Sequence, residues 1–177
     1  MKLYHGSNVG VEKPKILQNN RFLDFGNGFY LTSDFEQASK WARLITKRRK
    51  TGNPIVSVFE IKKVNLENLK VLKFEYANEE WLKYISKNRT SKIFDEDLDI
   101  VIGAVANDTT MPVLNLYLNG IYDEKEALKR LLPQKLKDQY AFKTEKALEK
   151  LKFVELMQVW IWKKYFQTFW QITIVKW

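Results

Sequence analysis

A chain of 177 residues fits one compact domain whose core needs neither disulfides nor a structural metal. Hydrophobic residues at 45% and aromatics at 14%, against only 7 Gly and 4 Pro, exclude a disordered chain, while the absence of Cys and a single His exclude disulfide scaffolds, thiol nucleophiles and nearly every zinc site. A net charge of +9 favours encounters with phosphate-bearing partners, although most of it is Lys scattered along the chain.

The opening MKLYHGSNVG lacks the apolar stretch of a secretory signal, so cytoplasmic residence is the expectation. Lys2 to His5 reads as a short strand followed by a Gly-Ser turn. Ser33-Asp34-Phe35-Glu36 has the form of a capping box and precedes the helical spacing Phe35, Ala38, Trp41, Ala42, Ile45. The dense run Lys47-Arg48-Arg49-Lys50 falls where that helix should end and suits the negative end of its dipole, so a solvated helix end is preferred over a phosphate-binding patch. Gly52-Asn53-Pro54 breaks the chain before a strand over Ile55 to Ile61, and Leu69 to Phe74 suggests another. Glu79 to Asn88 is predicted helical, with Trp81, Leu82, Tyr84 and Ile85 inward.

Asp99 to Ala106 is a near-continuous apolar run of strand length, as expected for a central strand covered on both faces. Asn107 and Asp108 follow it, either as a turn or as lining for a cleft at the strand end. Asp123 with Glu126 opens a helix that buries Ala127, Leu128, Leu131 and Leu132 before Pro133. Gln139 to Lys143 alternates as a strand, Thr144 caps a short helix through Lys150, and Leu151 to Val154 suggests a last strand. The class is α+β, with one domain over 1–153 and an aromatic-rich C-terminal extension over 154–177. That extension holds Trp160, Trp162, Trp170 and Trp177, and Lys163-Lys164 argues against a transmembrane segment. Packing onto the domain or docking a partner is the preferred reading; a membrane interface is the other.

The residues that carry chemistry cluster early: Tyr4-His5-Gly6-Ser7, then Asp24-Phe25-Gly26-Asn27-Gly28-Phe29-Tyr30-Leu31-Thr32, then the Ala-containing helix. Singly these are weak signals, and Gly26-Asn27-Gly28 lacks the third Gly and the following helix of a Rossmann turn. In this order, however, Leu3 to Ala42 resembles the signature of the poly(ADP-ribose) polymerase and diphtheria-toxin branch of ADP-ribosyltransferases. It is also similar to a large, mostly uncharacterised bacterial family with the same blocks, a likeness that extends through Asp99-Ile-Val-Ile-Gly103 to about Phe153.

The resemblance implies a split, mixed β-sheet core with flanking helices and NAD as co-substrate. It implies that Gly6 pairs through its backbone with the nicotinamide carboxamide, that Ser7 adds a hydroxyl, that Tyr30 stacks on the ring, and that His5 holds a ribose hydroxyl. Gly28, Phe29 and Asn107 complete the expected cofactor contacts. The superfamily normally places a Glu at the start of a late strand, and here Gln139 stands at the best-matching position. Gln orients a hydroxyl but supplies neither a general base nor negative charge, and the neighbouring Asp138 points to the opposite strand face. The implied function is mono-ADP-ribosyl transfer from NAD to a macromolecular acceptor, protein or nucleic acid, in a bacterial toxin or effector with a neutralising partner protein. An NAD glycohydrolase, a non-catalytic NAD or ADP-ribose binding module, and a simple basic nucleic-acid-binding protein remain as alternatives.

Overall fold

The computed structural model describes residues 1–16, 23–62, 66–90, 97–106, 110–132 and 136–159. In chain order the elements are β1 (Lys2–Ser7), β2 (Phe29–Leu31), α1 (Phe35–Arg49), β3 (Ile55–Glu60), β4 (Val71–Lys73), α2 (Glu79–Thr90), β5 (Ile100–Ala104), α3 (Met111–Leu118), α4 (Glu124–Leu131), β6 (Asp138–Phe142), α5 (Glu145–Leu148) and β7 (Lys152–Gln158). The fold is α+β. Three antiparallel strands make one sheet in the order β1-β3-β7. The other, ordered β2-β6-β5-β4, is mixed, because β4 runs parallel to β5 while β6 is antiparallel to both of its neighbours.

Alternation along the strands sorts the apolar residues into layers. Leu3, Phe29, Leu31, Phe59, Ile100, Ile102 and Phe142 meet in a core between the two sheets. The far face of the four-stranded sheet contributes Val101, Ala104 and Ala141, which pack with Trp81, Leu82 and Ile85 of α2, Leu114 of α3, and Ala127 and Leu131 of α4. On the far face of the three-stranded sheet, Ala38 and Ala42 of α1 cover Val56. The layers therefore run α1, three strands, four strands, then α2 to α4. All five residues of β5 are buried, which explains why its sequence shows no polar alternation. Trp81 satisfies its buried indole by donating to the Ala104 carbonyl at 2.9 Å, fixing α2 to the end of β5.

Several predicted boundaries shift. The first strand continues through Gly6 and Ser7, which pair with Val56 and Ile55 instead of turning. The capping residue of α1 is Asp34, whose carboxylate accepts from the Gln37 amide at 2.8 Å; Ser33 is not the cap, because its hydroxyl and amide both go to Asp138. Trp41, predicted on the inward face, is 50% exposed: small Ala38, Ser39 and Ala42 bring the helix axis close to β1 and leave the indole outside. Leu132 is likewise outside, at 57% exposure, since α4 ends at Leu131. Helix α3, with Pro112 in its first turn, fills a stretch for which no element was predicted. The last strand runs to Gln158, beyond the 153/154 boundary drawn from the sequence. Residues 160–177, and with them all four Trp of the extension, lie outside the described residues.

Candidate functional site

The two sheets meet edge to edge between β1 and β2, at a single bridge where Tyr4 and Thr32 exchange both backbone hydrogen bonds, at 2.8 and 3.0 Å. Carrying this antiparallel register two residues further would set Gly6 opposite Tyr30. The ladder stops before that point. The imidazole of His5 turns into the gap and its Nδ1 hydrogen-bonds the Tyr30 carbonyl at 2.8 Å, taking the acceptor that Gly6 would have used. Because Tyr4 faces β2, the alternate residues Leu3, His5 and Ser7 make the hydrogen bonds to β3, and the peptide N–H and C=O of Gly6, itself a buried residue, point toward β2 past the end of the ladder. Among the described residues nothing across the seam pairs with them.

The imidazole is held from both sides. Its ring stacks on Phe29 with centroids 4.4 Å apart and planes inclined by 28°, and Phe29 in turn meets Phe59 edge-on. Burial lowers the His5 pKa below its ordinary value, so the ring is neutral at pH 7; its bond to the Tyr30 carbonyl then requires the proton on Nδ1. Phe29, expected among the cofactor contacts, is a buried core residue that stacks on this half-buried imidazole. It bears on a ligand only through His5.

Tyr30 lies on the opposite face of β2 from Phe29 and Leu31, half-buried against the helix-covered core. Its hydroxyl donates to the Gly26 carbonyl at 2.5 Å and accepts from the Phe25 amide at 3.2 Å. Burial, with the nearby Asp24 charge, raises its pKa far above the usual phenol value. The phenol is thus fixed by the loop before it, leaving its ring faces as the chemically useful part. Gly26 has φ of 75°, a left-handed turn suited to Gly, whereas Gly28 lies against the Phe142 carbonyl. Arg89 of α2 anchors the same loop through a paired Asp24 carboxylate, Nε to Oδ1 at 2.8 Å, and Lys143 donates to the Phe25 carbonyl at 3.1 Å. Nothing local in the sequence announces the Arg89–Asp24 pair, whose members are 65 residues apart.

On β6, Ala141 pairs with Tyr30, so Gln139, two residues away, shares the Tyr30 face of the sheet. The Gln139 side-chain oxygen is buried with no hydrogen-bond partner among the described residues, an unusual state that ordinarily costs about 1–3 kcal/mol. Asp138 faces the other way and is fully engaged: its carboxylate accepts from the Thr32 hydroxyl at 3.0 Å and from the Ser33 amide and hydroxyl at 2.8 and 2.5 Å. This clasp joins the start of β6 to the start of α1, a role not foreseen from the sequence. Ser7 is half-buried at the end of β1. Asn107 lies outside the described residues.

His5, Gly6 and Tyr30 are therefore gathered at one seam, and Tyr30 and Gln139 on one sheet face. The His5 and Tyr30 side chains leave their strands on opposite sides, joined through the Tyr30 carbonyl. Two surface depressions, of about 670 Å³ and 440 Å³, contain neither residue. Among the described residues no helix is long and apolar enough to cross a membrane, and no three His, Asp or Glu side chains are grouped to hold a metal. No curated protein and no solved structure matches the chain. A family model does match, over residues 1–153 and hence over both sheets as far as the start of β7. The chain belongs to that family, described as "Protein of unknown function (DUF3990)".

Proposed function

We propose that this chain is a mono-ADP-ribosyltransferase that takes ADP-ribose from NAD and passes it to a macromolecular acceptor, as a cytoplasmic toxin or effector held in check by a partner protein. One observation carries the reading: the His5 ring occupies the Tyr30 carbonyl, leaving a peptide donor and acceptor side by side at Gly6 with no partner across the seam. A primary carboxamide presents the complementary pair, so nicotinamide fits that edge. NAD supplies the ADP-ribosyl group and the nicotinamide leaving group. In this reading Gly6 orients the amide, Ser7 adds a hydroxyl, the Tyr30 ring gives a flat surface fixed by its own hydroxyl, and neutral His5 holds a ribose hydroxyl through Nε2. The unpartnered Gln139 oxygen, on the Tyr30 face, would accept from another ribose hydroxyl.

A second reading has its own observation. Gln139 carries no charge and the adjacent Asp138 carboxylate is spent on Thr32 and Ser33, so this strand offers no free carboxylate to the sugar. That favours a module that binds NAD or ADP-ribose without turning it over. Incubating the purified chain with adenine-labelled NAD and cell lysate, followed by separate protease and nuclease digestion, tests both. The transferase predicts label on a macromolecule, lost in His5→Ala, and turnover raised by roughly 10²-fold or more in Gln139→Glu, the low end for a positioned acid–base group. Free ADP-ribose without labelled macromolecule points to a glycohydrolase. Saturable NAD binding with no nicotinamide release identifies the binding module, and absence of NAD binding rejects the whole proposal.

A further inference from the structure

Helix α1 distributes charge unlike the other helices. From Gln37 to Phe59 the sequence holds no Asp or Glu but six cations: Lys40, Arg43, Lys47, Arg48, Arg49 and Lys50. Elsewhere several helical cations are paired, Lys83 with Glu79, Arg89 with Asp24 and Arg130 with Glu126. Among the described residues Lys40, Arg43, Lys47, Arg48 and Lys50 have no acidic partner. At 100° per residue, Lys40, Arg43, Lys47 and Lys50 fall within an arc of about 80° and extend over about 15 Å along the axis. That arc is opposite the Ala38 and Ala42 side that packs on β1. Together with the hydroxyl residues Thr46 and Thr51 they line a shallow depression of about 670 Å³. Trp41, 50% exposed, lies about 100° round the helix from Lys40, off this row.

A row of cations at intervals of roughly 5 Å, with no acid between them, matches a ligand whose anions repeat along a line. A folded protein partner fits less well, because the centre of a protein interface is apolar and poor in charge, and Leu44 is the sole apolar residue lining this depression. We infer that the outer face of α1 binds the phosphate backbone of nucleic acid, with Lys40, Arg43, Lys47 and Lys50 on successive phosphates. This surface is on the far side of α1 from the Gly6 seam and stands independently of the NAD reading.

Fluorescence anisotropy of the full chain with labelled oligouridylate, oligothymidylate and a duplex of equal length, at increasing salt, tests the inference. The wild type is expected to bind nucleic acid with an affinity that falls as salt rises. Changing Lys40, Arg43, Lys47 and Lys50 together to Gln should weaken single-strand binding roughly tenfold or more and flatten the log–log salt slope by about three, as four lost phosphate contacts require. Lys47→Glu should act in the same direction as a smaller step. An equal loss of charge at exposed Lys62, Lys73, Lys125 and Lys129 should leave binding near wild type. Trp41→Ala, off the row, should leave binding near wild type. Equal or unequal binding of the two single strands supports the surface either way and identifies the sugar it takes. The inference is overturned if the wild type binds no strand at low salt, if the control variant falls as far as the α1 variant, or if polyglutamate binds as tightly as oligouridylate.

Discussion

At Tyr30 a single oxygen serves two loop peptide groups, accepting from the Phe25 amide and donating to the Gly26 carbonyl. Tyr30→Phe leaves both without that partner in a part-buried position. The expected cost is about 1–3 kcal/mol of unfolding free energy by urea denaturation, with little change in ring area available to a ligand. His5 makes a different prediction, in pH. Its folded pKa lies below the ordinary 6.5, so the unfolded chain takes up the proton more readily. The stability that follows is complete above about pH 6.5 and declines as pH falls through that value toward the folded pKa, by at most about 1.4 kcal/mol per pH unit. Stability measured from about pH 7.5 to 5.5 should show this decline in the wild type and lack it in His5→Gln, because carboxylates titrate mostly below that window.

Among the elements, α1 lies close against β1. A Cβ on Gly6 would sit 2.0 Å from the Ala38 carbonyl oxygen and 3.0 Å from the Ala42 amide nitrogen, both backbone atoms, so Gly6→Ala forces the helix off the sheet. It is expected to lower the melting temperature by several degrees, a loss on the order of 1–3 kcal/mol, with or without any ligand. The same glycine illustrates how far the chain could be read before its coordinates. Runs such as Ile55–Glu60 and Ile100–Ala104 declare themselves as strands by composition, and Trp81, Leu82, Tyr84 and Ile85 by spacing, because local pattern and burial agree there. His5, Gly6 and Tyr30 stand out through motif order. What stays hidden depends on partners far along the chain: Ser33 looks like a cap until Asp138, 105 residues away, takes its hydroxyl, and Trp41 looks inward until the short side chains beside it set the depth of the helix.

For the molecule as a whole, β7 is the third strand of a three-stranded sheet, and five of its seven residues, Val154 to Gln158, lie past the end of the family match. A chain cut after Phe153 uncovers the ladder of β3 from Ile55 to Val58. It should melt lower and aggregate more readily than a chain cut after Val159, whose amide still reaches the Pro54 carbonyl, as differential scanning fluorimetry and light scattering would report. At the other edge of that sheet the logic reverses, since the edge is kept unpaired by one aromatic ring. His5 is a spacer between two strands whose register already suits further zipping. Shortening the spacer in His5→Gly releases the Tyr30 carbonyl to the Gly6 amide, and the amide-exchange rate at Gly6 should slow toward that of Tyr4. The two halves of the sheet are thus kept apart by the side chain proposed to grip the sugar, and a variant that cannot grip would also heal the split.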